Sequence, residues 1–129
     1  MIHSPDTGLI TCGIIEKAAL HRSVIKLFID RMPELTLVWE CEFQESAYRC
    51  FEECVPDVLF LQLGRIPVEL DSLLRHILTH HKGIIITTGF NPDEVTPLPF
   101  QPLDFLQKPV SFERFAEAIE RYKHLSNST

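Results

Sequence analysis

Apolar positions along this chain change period repeatedly, and each change marks an element. Residues 9–15 form a short, mostly apolar run with β-branched members, which predicts a strand. Leu20, Val24, Leu27 and Phe28 then share one helical face and predict a helix packed through that face. Leu35, Leu37, Trp39 and Cys41 alternate with Thr36, Val38 and Glu40, after which Ala47, Cys50, Phe51 and Cys54 return to helical spacing. Residues 58–63 are apolar enough for a strand covered on both faces, and Leu70, Leu73, Leu74, Ile77 and Leu78 come next as a wide helical stripe.

The fourth unit is damaged. Ile84, Ile85 and Ile86 lead into Thr87 and Thr88, a β-branched central strand, and Pro92 suits the start of a helix. Pro97, Pro99 and Pro102 each remove a backbone donor, so that helix is limited to one or two turns and the chain beyond it is irregular. Residues 104–107 make a fifth short strand, and Ser111 is the expected N-cap of a last helix that faces inward through Phe112, Phe115, Ile119 and Tyr122.

Five strand-helix units in 129 residues imply one α/β domain with a doubly wound parallel sheet. The flavodoxin-like strand order 2-1-3-4-5 is the economical solution. The expected organisation is an N-terminal extension over residues 1–8, the domain over 9–125 and a frayed polar tail over 126–129. In such sheets ligands bind beyond the carboxyl ends of the strands, at the switch point beside strands 1 and 3. The candidate site is therefore Glu16 and Lys17, Gln62, Thr87 and Thr88, and Gln107, Lys108 and Pro109.

Composition narrows the function. Hydrophobic residues at 45% and charged residues at 23% are ordinary for a globular domain, and no apolar run approaches the ~20 residues of a membrane helix. The first residues lack the basic and apolar regions of a secretory leader, so a cytoplasmic protein is expected. A net charge of −6 argues against direct binding of nucleic acid, which needs clustered Lys and Arg. Cys50 and Cys54 read as small buried hydrophobes on a helix face, while Cys12 and Cys41 sit alone in strand-like runs, so neither disulfides nor zinc is expected.

The strand ends resemble those of the receiver domain of two-component response regulators, particularly receivers that precede a LytTR-type DNA-binding domain. The likeness covers residues 9–125. Its strongest piece is Asp104-Phe105-Leu106-Gln107-Lys108-Pro109-Val110-Ser111-Phe112-Glu113-Arg114-Phe115, similar to the family's aromatic-x-x-Lys-Pro ending. Thr87-Thr88-Gly89 resembles its Thr-Thr-Ala, and Pro56-Asp57-Val58-Leu59-Phe60-Leu61 resembles the approach to its phosphorylation site.

The resemblance implies roles residue by residue. Lys108 falls on the lysine that contacts the phosphoryl group, Thr88 on the switch hydroxyl and Phe105 on the switch aromatic. Glu16 and Lys17 fall on the Asp-Asp pair that holds magnesium, so one carboxylate is kept and the other is reversed in charge. Gln62 falls on the phosphoaccepting aspartate. An amide carries no charge and its nitrogen lone pair is delocalised, so it forms no acyl phosphate. Magnesium demands hard anionic oxygens, and its site is expected to be lost, leaving no cofactor. Lys17 and Lys108 are expected to flank Glu16 and Gln62 in a fixed cluster that mimics one signalling state.

These residues together imply a non-enzymatic, phosphorylation-independent receiver-like module acting through protein contacts. The family docks dimers or partners on its fourth helix, fifth strand and fifth helix, and the large apolar side chains Leu98, Phe100 and Leu103 are expected at such an interface. A DNA-binding domain further along a longer chain is the associated expectation. Two competing readings stand beside it. One is a working receiver phosphorylated at another carboxylate, Glu16 or Asp57, and the other is a small anion held by Lys17 and Lys108. A packing-only domain in which Gln62 has no role is the plain alternative. His76, His80 and His81 place two imidazoles at zinc-binding spacing, but without a third ligand a solvated helix end is the simpler reading. Asp6-Thr7-Gly8 spells the triplet of aspartic proteases, an all-β fold that the helical stripes contradict.

Overall fold

The computed structural model describes residues 8–64, 72–95 and 97–127. Its elements run β1 (Ile10–Ile15), α1 (Ala19–Asp30), β2 (Leu35–Cys41), α2 (Gln44–Glu53), β3 (Val58–Gln62), α3 (Ser72–Thr79), β4 (Ile84–Thr88), α4 (Pro92–Val95), β5 (Asp104–Gln107) and α5 (Phe112–Asn127). The strands form a five-stranded parallel sheet in the order β2-β1-β3-β4-β5, the flavodoxin-like arrangement. The chain divides into two compact units, residues 1–60 and 61–129, with the division inside β3.

In the first unit β1 pairs with β2 from Ile10 opposite Leu35 to Ile15 opposite Cys41, with one register shift between Cys12 and Gly13. Gly13 is required there. A Cβ on it would stand 2.9 Å from Pro56 Cγ and 3.1 Å from the Trp39 ring. Trp39 is buried, meets Phe51 edge-on with centroids 5.1 Å apart, and donates its indole N–H to the carbonyl of Cys54 at 2.9 Å. At the amino ends of the strands, Asp57 accepts from the Thr11 backbone N–H at 2.9 Å and from its hydroxyl at 3.0 Å. The Asp57 N–H in turn donates to that hydroxyl at 2.8 Å.

Helix α1 corrects one expectation. It buries Ile25 and Ile29, whereas Leu20 is 72% and Leu27 62% exposed, and Val24 and Phe28 are half-buried. The inward row is Ile25 and Ile29, with the half-buried Arg22 preceding them on the same face. Helix α2 buries Ala47 and Phe51 as expected, but Cys50 and Cys54 are only half-buried and Cys54 ends the helix in extended conformation.

In the second unit β4 is entirely buried and pairs in parallel with β5, from Ile85 opposite Asp104 to Thr88 opposite Gln107. Helix α3 turns Leu74 and Leu78 inward, leaves Ile77 half-buried and exposes Leu73 at 54%; Leu70 lies outside the described residues. Helix α4 is one turn long, as the prolines predict. Asn91 and Glu94 cap it reciprocally, with Glu94 N–H donating to the Asn91 carbonyl at 2.9 Å and Asn91 N–H to Glu94 Oε1 at 3.2 Å.

Ser111 caps α5 as expected, its hydroxyl accepting from the Arg114 N–H at 3.2 Å, and Phe115, Ala118 and Ile119 are buried. Phe112 and Tyr122 are half-buried. The helix continues through Ser126 to Asn127, so the tail is not frayed from 126. Asp104, nearly buried at the start of β5, anchors α5 through a two-pronged pair with Arg114, Oδ2 to Nη1 at 3.1 Å and Oδ1 to Nη2 at 2.7 Å. Arg114 also donates to the Phe105 carbonyl at 3.1 Å. The hydrogen bonds to Asp104 hold the guanidinium's proton more tightly than usual.

Candidate functional site at the carboxyl ends of the strands

The first unit supplies Glu16 and Lys17, directly after β1. Glu16 is 3% exposed; its backbone N–H donates to the Cys41 carbonyl at 3.0 Å, and its Oε2 accepts from the Ala18 N–H at 3.0 Å. One carboxylate oxygen thus fastens the turn into α1. The Lys17 side chain is exposed. Arg22 holds the turn. From the first turns of α1 its Nη1 donates to the carbonyl oxygens of Glu16 at 2.7 Å and Lys17 at 3.1 Å. Glu40 and Glu42 hold the guanidinium from the other side, at 3.4 and 3.6 Å, and Lys26 pairs with Glu40 at 2.9 Å. Sequence reasoning missed Arg22; the signal was a lone cation on the row that also carries Ile25 and Ile29.

The same unit holds a pair of thiols. Cys41, at the end of β2, donates its thiol to the Phe43 carbonyl at 3.4 Å and lies close enough to Cys50 of α2 to influence it, so it is not alone as the sequence suggested. Burial, then the charge and hydrogen bond of Cys50, pushes the Cys41 thiol up to about 12. Burial also raises Cys50 and Cys54. At Cys12 burial dominates and the Asp57 charge adds to it, again to about 12. All four cysteines are free thiols, and these shifts keep them protonated near neutrality.

The second unit supplies the rest. Gln62 ends β3 half-buried, and the next residue, Leu63, donates its N–H to the Thr87 carbonyl at 3.1 Å. Thr88 is fully buried at the end of β4, and its hydroxyl accepts from the Phe90 N–H at 3.1 Å. Lys108 donates its backbone N–H to the Thr88 carbonyl at 2.7 Å, is half-buried, and joins Pro109 through a cis peptide bond. Phe105 is half-buried in β5, and Gln107 reaches Asn91 at 3.2 Å. Gln62, Thr88, Phe105 and Lys108 therefore all lie on or directly beyond β3, β4 and β5.

The expected interface residues fare differently. Phe100 is only 7% exposed, and Leu98 and Leu103 are half-buried. The proline-stiffened segment keeps its largest side chain buried rather than outward, because fixed φ angles shape the loop without requiring it to be open. Among the described residues no group of three or more His, Cys, Asp or Glu side chains is placed to hold a metal ion, and no helix is long and apolar enough to cross a membrane.

No protein-family model matches the chain. Individual proteins do. It is 21% identical over 118 residues to the sensory transduction protein LytT of Bacillus cereus, covering 89% of this chain and 48% of LytT. It is 25% identical over 113 residues to the transcriptional regulatory protein BtsR of Escherichia coli, covering 85% of this chain and 46% of BtsR. The chain thus spans about half the length of these relatives. Among solved structures, the response regulatory domain of mrkE from Klebsiella pneumoniae superposes with a TM-score of 0.73 at 17% identity, over 93% of this chain and all of that one. The signal receiver domain of a modulated diguanylate cyclase from Desulfovibrio desulfuricans gives 0.70 at 20% identity, over 92% and 97%. Strand order, element order and these likenesses together identify the fold as that of a response-regulator receiver domain.

Proposed function

We propose that the chain is a phosphorylation-independent, receiver-like module of a two-component response regulator, working by protein contact rather than by catalysis. The observation that carries this reading is Gln62 at the end of β3, where the receiver pattern has its phosphoacceptor. Its amide offers no anionic oxygen to attack phosphorus. The donor set also fails magnesium. Of three carboxylate positions only Glu16 is kept, one of its oxygens already accepts from Ala18 N–H, and Lys17 brings a cation. The turn that would carry the metal is fastened instead by Arg22.

A substitute phosphoacceptor finds little support. Asp57 stands at the amino end of β3 with its Oδ2 engaged by Thr11, and it serves the packing of the first unit. Because LytT and BtsR are about twice the length of the match, the proposal extends to a longer regulator in which this module precedes an output domain, with the cytoplasm as its place of action. The test is incubation with acetyl phosphate and magnesium, then intact-mass spectrometry. No adduct is expected.

A further inference from the structure

Away from the strand ends, the carboxyl end of α3 brings two imidazoles together. His76 and His80 are both exposed, and their ring centroids lie 4.7 Å apart at an interplanar angle of 54°. His80 Nδ1 is 2.9 Å from the backbone oxygen of His76. A carbonyl only accepts, so Nδ1 carries the proton and Nε2 of the neutral ring keeps its lone pair. That is the arrangement by which a backbone carbonyl orients a metal-ligating histidine. Two imidazole nitrogens about 2.1 Å from one ion, at a roughly tetrahedral angle, place the ring centroids about 5 Å apart. The observed spacing matches. His81 is already committed, since its Nδ1 accepts from the Gly83 N–H at 3.0 Å in the turn into β4.

We propose that His76 and His80 form a two-imidazole site for a borderline divalent transition ion, Ni²⁺, Cu²⁺ or Zn²⁺, with water in the remaining positions. Imidazole suits these ions, whereas magnesium requires oxygen ligands, so this site is chemically distinct from the strand-end positions. The negative end of the helix dipole favours a cation here, while the nearby charges of Arg75 and Lys82 oppose it and keep the affinity modest.

The test is calorimetric titration of the chelator-treated 129-residue chain with nickel chloride, in a His3→Gln background because Met1-Ile2-His3 with a free amino group is itself a strong Cu²⁺ and Ni²⁺ chelator. The expected result is one site, with His76→Gln and His80→Gln each weakening it by about tenfold or more and magnesium giving no signal. A second measurement in the same background locates the ion: trace Cu²⁺ should broaden the ring-proton resonances of His76 and His80 before those of His21, His81 and His124. Nickel binding that is unchanged when His76→Gln and His80→Gln are added, or broadening centred elsewhere, overturns the proposal.

Discussion

Arg22 reaches back six residues to donate from Nη1 to the carbonyl oxygen of Glu16 at 2.7 Å. The receiver-like turn after β1 is thereby closed by a guanidinium that Glu40 and Glu42 hold in place. Arg22→Ala removes hydrogen bonds to two carbonyls and should cost about 1–3 kcal/mol in urea unfolding. Arg22→Lys should restore only part, since one ammonium cannot reproduce the planar fork. Lys17→Ala, at an exposed side chain, should stay within about 0.5 kcal/mol of the parent.

Gly13→Ala should destabilise by about 1–3 kcal/mol, because its Cβ meets Pro56 and the Trp39 ring closer than side chains tolerate. Trp39 fluorescence reports the disturbance directly. Gly89→Ala, where a Cβ meets nothing within 4 Å, is the control and should leave the emission unchanged.

Stability should fall at alkaline pH through Cys12. Its folded thiol is raised to about 12 from an ordinary 9.0, so it stays protonated while the unfolded chain loses its proton. The contribution is fully present below pH 9 and is lost as pH rises toward 12, at up to about 1.4 kcal/mol per pH unit. Urea unfolding between pH 8 and about 10.5 should show at least that slope, and Cys12→Ala should reduce it, leaving the part that the similarly raised Cys41 contributes.

How far the chain could be read in advance depended on whether one signal acted alone. β3 and β4 were plain because uninterrupted apolar runs leave no alternative, and α4 was plain because prolines permit one turn. The buried face of α1 was misread because Leu20, Val24 and Leu27 outnumber Ile25 and Ile29, and only tertiary partners show that Arg22 can sit on the inward face. Phe100 was misread for the opposite reason: an irregular loop has no periodicity to say which side chain turns inward. Gln62, Thr88 and Lys108 were legible because each is fixed by a strand end, whereas the exposure of Lys17 belongs to a turn whose anchor lies five residues away.

Restoring the residue types of a working receiver should restore its chemistry. Gln62→Asp alone should remain silent, because Lys17 still stands where the second carboxylate is needed. Gln62→Asp with Lys17→Asp returns three carboxylates including Glu16, and should lower the melting temperature through like-charge repulsion that magnesium reverses. A double variant that neither responds to magnesium nor gains a phosphoryl group would show that these positions do not work as the resemblance implies.

The central claim is that the native chain does not accept a phosphoryl group. Intact-mass spectrometry after incubation with acetyl phosphate and magnesium tests it most directly. The predicted spectrum is that of the unmodified chain at every time point, with a receiver domain of known phosphorylation as positive control. A stable increase of one phosphoryl group on the native chain would contradict the account.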